Sequence, residues 1–159
     1  MSALTVLHNP NPELRVVSQP VTDAQLSDAK TQALIDNLIE TMAEENGVGI
    51  AAPQVGAHQR IIIVETPHGV EAFINPEITS RSVRMVTSIE GCLSVPGISG
   101  AVKRHSSVKV KAKNRKGEEL ALKANGLLAI IFQHEIDHLD GILFIDRATN
   151  IINHVKSRL

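Results

Sequence analysis

The segment at residues 126–141 constrains the fold of this chain more than any other. Its first half, residues 126–132, is almost entirely apolar, and its second half carries histidine, glutamate, glutamine and aspartate side chains. The pattern predicts an α-helix that ends near Gly141, since glycine readily adopts the left-handed conformation that closes a helix. Apolar residues around the whole circumference indicate burial on all sides. We therefore expect a central, buried helix around which the rest of the chain packs.

Two further helices are predicted near the ends of the chain. Apolar residues recur at helical spacing between residues 23 and 44, and Thr22 with Gln25 three positions later matches a capping box. This pattern predicts one amphipathic N-terminal helix. A short C-terminal helix is predicted from four apolar residues: Ile151, Ile152, Val155 and Leu159.

The middle of the chain has the pattern of short strands. Short apolar runs separated by glycine and proline predict strands at residues 61–64, 72–74 and 78–86. Residues 105–113 alternate apolar residues with lysines, which predicts a strand with its lysine face in water. A turn at residues 114–117 would lead to a partner strand at residues 119–124. The residues therefore predict a chain of helices and short strands.

Size and charge restrict the class of protein. The chain has 159 residues, a length typical of one domain, so we expect a single domain over residues 1–159. Its 16 basic and 17 acidic residues are nearly balanced, which gives no indication of nucleic-acid specificity or of a polybasic membrane anchor. The longest apolar stretch is too short to span a bilayer, and the amino terminus has no export-signal pattern. These features predict a cytoplasmic protein without a membrane partner.

The predicted central helix contains the sequence HEIDH at residues 134–138, an H-E-x-x-H pattern. The spacing puts both imidazoles on one helix face, about one turn apart, where they can bind the same metal ion. Glu135 follows the first histidine, so its carboxylate can accept a proton beside the metal without binding it. The alternative is an ordinary helix with solvated histidines, although several polar groups on a buried helix are costly without a partner. The placement favours a metal site.

A third ligand is needed, because catalytic metal centres typically use three protein ligands and keep one position open. Cys92 is the candidate. It is the only cysteine, and it lies between Gly91 and Pro96 in a stretch that can place a side chain at a strand end. Its thiolate binds borderline metals well. An isolated cysteine can also be a small buried hydrophobic residue, and the residues alone leave both interpretations open.

The glycine-rich segment at residues 47–56 can also line a site. Glycine, alanine and proline let the backbone approach a ligand closely, and Gln54 offers an amide donor. The segment lacks the Lys-Ser/Thr ending of a phosphate-binding loop, and taken alone it is equally consistent with a tight connection.

Taken in order, residues 47–56, 90–94 and 133–138 resemble the three signature motifs of the peptide deformylases. The similarity extends to residues 127–129 and 139–141, which flank the third motif. The resemblance implies an α+β fold in which the H-E-x-x-H helix packs among antiparallel sheets. It implies N-formyl-methionyl nascent peptides as substrates, formate as a product, and the ribosome as a candidate partner. It also implies a cytoplasmic protein of bacterial type, with an organelle or a phage-infected cell as alternatives.

The resemblance assigns a metal and the residues around it. Cys92, His134 and His138 match the ligands, and Glu135 matches the general acid/base. The implied cofactor is one divalent metal ion, Fe2+ in the cell, which Zn2+, Ni2+ or Co2+ can replace. These residue types predict that the metal acidifies water, that Glu135 takes the proton, and that Glu135 finally protonates the leaving amine.

The resemblance also assigns residues to the substrate. Gln54 and the backbone N–H of Leu93 match groups that stabilise the oxyanion, and Gly49 matches a contact to the substrate backbone. Glu90 and Arg104 are interpreted as supports of the site. The side chains that match the methionine pocket are Val48, Leu93, Ile130, Ile131 and His134.

Two departures and two alternatives accompany this interpretation. Ile50 stands where leucine is common, and the chain ends without the longer tail of many bacterial members, which leaves only Lys156 and Arg158 as a basic docking segment.

One alternative is a zinc protease, for which a downstream third ligand is required. The other is a metal-binding module without turnover. The candidate protease ligands are Asp140, Asp146 and His154.

Overall fold

The computed structural model describes residues 2–154, which form an α+β fold. Its helices are α1 (Asp23–Ser27), α2 (Ala29–Glu44) and α3 (Gly126–Leu139). Its strands are β1 (Gly49–Ala51), β2 (Ile61–Thr66), β3 (Gly69–Arg81), β4 (Met85–Cys92), β5 (Val95–His105), β6 (Ser107–Lys113), β7 (Glu119–Asn125) and β8 (Thr149–Asn153). The described strands form an antiparallel five-stranded sheet, β1-β2-β3-β6-β7, and an antiparallel three-stranded sheet, β4-β5-β8. The predicted α+β class is confirmed.

Helix α3 is the central, buried helix that the sequence predicts. It packs against strands of both sheets. Phe132 is fully buried and meets Phe73 of β3 edge to face, with the ring centroids 4.9 Å apart. The helix ends at Leu139, and Gly141 adopts a φ of +73°, as expected for the exit of a helix. This helix carries the H-E-x-x-H histidines between the sheets.

Helix α2 covers the opposite face of the five-stranded sheet, and this explains the unbroken apolar run in β2. Ile62 and Val64 belong to the core around α3, whereas Ile61 and Ile63 pack with Ile35 and other residues of the core under α2. A strand buried on both faces needs no alternation of polar and apolar residues. Among the described helices, none is long and apolar enough to cross a membrane.

The predicted single helix at residues 23–44 is wrong in one respect, because it is two helices. The capping box of Thr22 and Gln25 is present at the start of α1, with hydrogen bonds of 3.1 and 2.8 Å. Asp28 then takes an extended conformation, and its carboxylate accepts a hydrogen bond from the Lys30 N–H at 3.0 Å. Asp28 is therefore the N-cap of a second helix, in keeping with the preference of aspartate for that position.

The predicted separation of strands at Pro76 is also wrong. β3 passes through Pro76, which lies at a register irregularity between Ile74 and Glu77, where proline's missing N–H costs little. Asn75 at this irregularity has a φ of +51°, and its amide makes two hydrogen bonds of 2.8 Å to the backbone of Val21. The chain instead leaves the strand after Arg81, so the predicted strand 78–86 is divided between β3 and β4.

The predicted short C-terminal helix is a strand over its described residues. Ile151 and Ile152 lie in β8, where Ser99 of β5 pairs with Ile152 and Ala101 pairs with Thr149. β5 has this edge free for backbone hydrogen bonds, and such tertiary pairing outweighs a weak local pattern. Val155 and Leu159, on which the prediction also rested, lie outside the described residues.

The lysine strand and its partner are confirmed. β6 spans Ser107–Lys113 with alternating buried and exposed residues, and its register with β7 is regular along its whole length. The β1, β5 and β8 strands are not predicted from the sequence. β5 contains three residues that interrupt any apolar run: Gly97, Ser99 and Gly100.

Candidate metal centre

Three side chains with metal-binding atoms converge between α3 and the end of β4. The α3 helix places the rings of His134 and His138 one turn apart, with centroids separated by 5.1 Å. Cys92 is the last residue of β4, and its Sγ lies 3.3 Å from Nε2 of His138. One ligand atom from each of the three residues lies within 4.8 Å of the other two. Within residues 2–154, no other group of three or more His, Cys, Asp or Glu side chains has such spacing.

The chemistry of these donors fits a divalent metal ion. Burial holds the pKa of His138 well below its ordinary value, so its imidazole stays neutral and one ring nitrogen keeps a lone pair. At His134, burial lowers the pKa, but Cys92 and Glu90 raise it more strongly, to about 10, so without a metal its imidazole carries a proton on both nitrogens. A thiolate with two imidazoles is a donor set that borderline divalent metals accept. The three residues therefore fit a metal.

Glu90 orients His134. Its Oε1 lies 2.9 Å from Nδ1 of His134. Arg104 donates to both oxygens of Glu90, at 2.9 and 2.8 Å. Burial alone would raise the pKa of Glu90, but the hydrogen bonds from Arg104 and His134 outweigh it and lower the pKa to about 2. Because an ionised carboxylate only accepts hydrogen bonds, Nδ1 of His134 keeps its proton, and a metal would bind Nε2 in place of the second ring proton.

Glu135 is a buried carboxyl group that can exchange a proton near neutral pH. Burial, which is the main cause, raises its pKa to about 7. Its Oε2 is buried without a hydrogen-bond partner among the described residues. A Cβ atom built on Gly49 would lie 2.7 Å from Oε1 of Glu135, so the glycine lets β1 approach the carboxylate closely. A group with such a pKa suits general acid/base chemistry.

Gln54 is held with its amide N–H groups toward Cys92. Its Oε1 accepts from the Ala51 N–H at 2.9 Å, and its Nε2 donates to Ser94 Oγ at 3.1 Å and faces Cys92 Sγ at 3.6 Å. The structure thus brings the glycine-rich segment, the cysteine segment and α3 together. Ser94, which fixes Gln54, was missed by sequence reasoning although it belongs to the same motif as Cys92.

A cavity of about 520 Å³ opens beside these residues. Each residue predicted for substrate binding lines it, as do His134, Glu135 and Gln54. Ile89 and Leu127 at its rim are 75% and 68% exposed. The predicted substrate-binding residues in the lining are Val48, Gly49, Leu93, Ile130 and Ile131.

The candidate ligands of the protease alternative lie elsewhere. Asp140 pairs with Arg60 at 2.9 Å, and the carboxylate of Asp146 pairs with Arg15. The ring of His154 lies 2.8 Å from Ser99 Oγ and also lines the cavity, but it is not one of the three grouped ligands. None of the three belongs to the described ligand group, so the protease alternative lacks the downstream ligand that it requires.

The chain matches the family model described as polypeptide deformylase over residues 3–154. It belongs to the peptide deformylase family. The resemblance of the three motifs is thereby confirmed, and the chain is an enzyme of a metal-dependent hydrolase family. The peptide deformylase of Halothermothrix orenii is 49% identical over 153 residues, which cover 95% of this chain and 97% of that protein. The peptide deformylase of Chromobacterium violaceum is 44% identical over 163 aligned positions, which cover 100% of this chain and 95% of that protein.

Solved peptide deformylases share the fold. The actinonin-bound class I type b peptide deformylase from Acinetobacter baumannii has a TM-score of 0.88 and 41% identity, covering 94% of this chain and 100% of that one. The same enzyme bound to Met-Ala-Ser has a TM-score of 0.87 and 40% identity, covering 92% of this chain and 99% of that one. The fold and the sequence of this chain therefore agree with those of its solved relatives.

Proposed function

We propose that this deformylase hydrolyses the N-formyl group of the N-terminal formyl-methionine of newly made polypeptides and releases formate. The observation that carries the proposal is the position of Glu135, a buried carboxyl group with a pKa of about 7, in the same apolar cavity as Cys92 and His134 of the ligand group. The Acinetobacter baumannii relative binds Met-Ala-Ser, which is the start of a polypeptide without its formyl group. A peptide substrate for this chain is consistent with that complex.

Cys92, His134 and His138 are the proposed ligands of one divalent ion. When bound, such an ion supplies Lewis acidity, which polarises a carbonyl oxygen and acidifies water. Fe2+ is the proposed ion in the cell, with Zn2+, Ni2+ or Co2+ as substitutes, because one thiolate and two imidazoles accept several divalent metals. The neutral state of His138 and the Nδ1 hydrogen bond of His134 support this role.

Glu135 is the proposed proton carrier. It accepts one proton as a water oxygen forms a bond to the formyl carbon, and it gives that proton to the amine nitrogen as the carbon–nitrogen bond breaks. Glu135 is only 5% exposed, so bulk water does not stabilise its charged carboxylate form. Gln54 Nε2 and the Leu93 N–H are the proposed donors to the negative charge that develops on the formyl oxygen.

The cavity is the proposed site of the formyl-methionyl end. Val48, Leu93, Ile130 and Ile131 line it with apolar groups that suit a flexible thioether side chain. Gly49 has no side chain between β1 and Glu135, so substrate backbone can approach there. We also propose that residues 1–159 act as one deformylase domain, which the family match over residues 3–154 supports.

We propose the bacterial-type cytoplasm as the location and the ribosome as a partner, since the substrate is a nascent chain. Lys156 and Arg158 lie outside the described residues. Within the described residues, two exposed lysines of adjacent strands face each other on the outer face of β6 and β7, where Lys109 lies directly opposite Lys123. Like charges that face each other repel, and anionic RNA would relieve this repulsion.

Ribosome binding is tested by cosedimentation at increasing salt concentration. The variant that combines Lys109→Gln and Lys123→Gln should bind more weakly than wild type, and the matched surface change Lys30→Gln on α2 should not. Binding by the double variant that equals that of wild type would reject this surface.

The proposed reaction is tested by anaerobic purification, metal analysis and formate release from formyl-Met-Ala-Ser. We expect about one metal per chain, formate release that a chelator abolishes, and no acetate release from the matched substrate acetyl-Met-Ala-Ser. Bound metal with cleavage of a peptide bond would support the protease alternative. Bound metal without any hydrolysis would support the binding module, and absence of metal would reject the ligand assignment.

A further inference from the structure

A chain of charged side chains runs from His134 to the protein surface. Glu90, which orients His134, is bound by Arg104. The third donor of Arg104, Nη1, reaches Asp137 Oδ2 at 2.7 Å. Asp137 then accepts two hydrogen bonds from Arg147, to Oδ2 at 2.8 Å and to Oδ1 at 3.0 Å. Two acidic and two basic groups therefore alternate along one continuous path.

Burial falls steadily along the outer half of this path, from Arg104 to Arg147. The side chain of Arg104 is 4% exposed and that of Asp137 is 14% exposed, whereas that of Arg147 is 46% exposed. Arg104 is thus a buried guanidinium whose position is set by the two carboxylates on either side of it. Arg147 is the member that fixes Asp137 from the solvent side, by a planar two-point contact that only arginine can make.

The hydrogen bonds explain how a change at Arg147 would reach the metal centre. Oε1 of Glu90 is shared, because it accepts from Arg104 Nη2 at 2.8 Å and from His134 Nδ1 at 2.9 Å. Without Arg147, Asp137 keeps a single cationic partner and is free to rotate. A displaced Asp137 moves Arg104, and Arg104 moves the shared oxygen that holds the imidazole.

We propose that Arg147 is a positioning residue for the metal centre, which acts through Asp137, Arg104 and Glu90 on the orientation of His134. This inference rests on the proposed role of His134 as a metal ligand. Partners that contact a ligating histidine directly change metal affinity by roughly 10- to 100-fold. Arg147 is more remote, so we expect its loss to weaken metal binding by roughly three- to tenfold.

The experiment uses the full chain with Co2+, whose visible absorption reports the geometry of its ligands. Arg147→Gln should raise the Co2+ dissociation constant by roughly three- to tenfold and should shift or broaden the cobalt absorption bands. Arg147→Lys keeps the charge without the two-point contact, so its affinity should lie between those of wild type and Arg147→Gln.

Arg115→Gln is the matched control. Arg115 is 38% exposed, and its guanidinium contacts Asp36 at 2.9 Å and Gln32 at 3.1 Å, both on α2 and outside the path from Arg147 to His134. Its loss should lower the melting temperature about as much as the loss of Arg147, with unchanged cobalt affinity and absorption. Arg147→Gln with the affinity and spectrum of wild type would overturn the inference. A wild-type chain that binds no Co2+ would overturn the proposed function and this inference with it.

Discussion

Nδ1 of His134 donates a hydrogen bond to Oε1 of Glu90 over 2.9 Å, and this bond selects the nitrogen that His134 offers to a metal. Glu90→Gln removes the negative charge that makes Glu90 a strong acceptor. We expect the variant to bind metal roughly 10- to 100-fold more weakly, as found for direct partners of metal-binding histidines. Chelator competition measures the affinity. Glu65→Gln, an exposed change on β2, is the control and should have no effect.

The charge of Glu90 also predicts how stability depends on pH. The pKa of Glu90 falls from 4.5 to about 2 on folding, because the hydrogen bonds from Arg104 and His134 outweigh the effect of burial. A lowered pKa means that the contribution is complete above about pH 4.5 and is lost as the pH falls toward about 2. In denaturant unfolding without added metal, the stability difference between wild type and Glu90→Gln should shrink below about pH 4.5. A difference independent of pH would contradict an ionised Glu90.

Glu135→Gln tests the proton carrier. Glutamine keeps the shape of the side chain but cannot take a proton from water, so kcat should fall by about 10²- to 10⁴-fold while metal content stays at the wild-type level. Formate release and metal analysis on the same sample separate these two effects. Activity within about tenfold of wild type would exclude Glu135 from this role.

Gly49→Ala tests the close approach of β1 to Glu135. The added Cβ would lie 2.7 Å from Oε1 and 3.0 Å from Cδ and Cγ of Glu135, so the carboxylate must move. Gly47→Ala is the control, because its Cβ would lie no closer than 3.2 Å to any neighbour, and the nearest one is the movable end of the Leu93 side chain. We expect Gly49→Ala to lose at least about tenfold in kcat/KM and Gly47→Ala to lose less. Equal losses would show that the contact with Glu135 is unimportant.

Cys92→Ser tests the third ligand. Serine is a far poorer ligand than a thiolate for borderline metals, so Co2+ and Zn2+ should bind more weakly and the sulfur-to-cobalt absorption should disappear. Ser94→Ala, two residues away, removes the partner of Gln54 Nε2 without removing a proposed ligand, so it should keep this absorption. Unchanged Co2+ affinity in Cys92→Ser would exclude the cysteine from the site.

The elements with strong local patterns could be predicted from the sequence, and those formed by tertiary pairing could not. The apolar half of α3 and the lysine alternation of β6 each contain their own periodicity. β8 forms because its backbone pairs with the edge of β5. Ile151 and Ile152 fit a strand as well as a helix. The division between α1 and α2 depends on Asp28, whose capping role is not distinguishable from an exposed helical aspartate in a single sequence.

The same distinction holds for the site. His134, His138 and Glu135 are fixed by the periodicity of one helix, and Cys92 was added by a chemical requirement and by the motif order. Asp137 and Arg147 were not predicted as parts of the site, since their roles depend on where Arg104 reaches α3 from β5. Contacts between distant segments leave no periodic signal in either segment.

Gly141→Ala would destabilise the end of α3 in two ways, through a steric clash with Arg15 and through the left-handed backbone conformation. Gly141 has a φ of +73°, and an added Cβ would lie 2.5 Å from the carbonyl oxygen and 2.9 Å from the carbonyl carbon of Arg15. The left-handed conformation alone costs an alanine about 1–2 kcal/mol. Gly126→Ala measures this cost alone, because Gly126 has a φ of +57° and nothing within 4 Å of the added atom.

Gly141→Ala should therefore lower the free energy of unfolding by clearly more than Gly126→Ala, because two backbone segments must separate. Denaturant unfolding of both variants and wild type gives the two differences. If the two variants lose equal stability, the segment around Arg15 adjusts without cost, and its packing against the end of the metal helix is loose. A larger loss for Gly141→Ala would show that the N-terminal segment is held tightly against the end of α3.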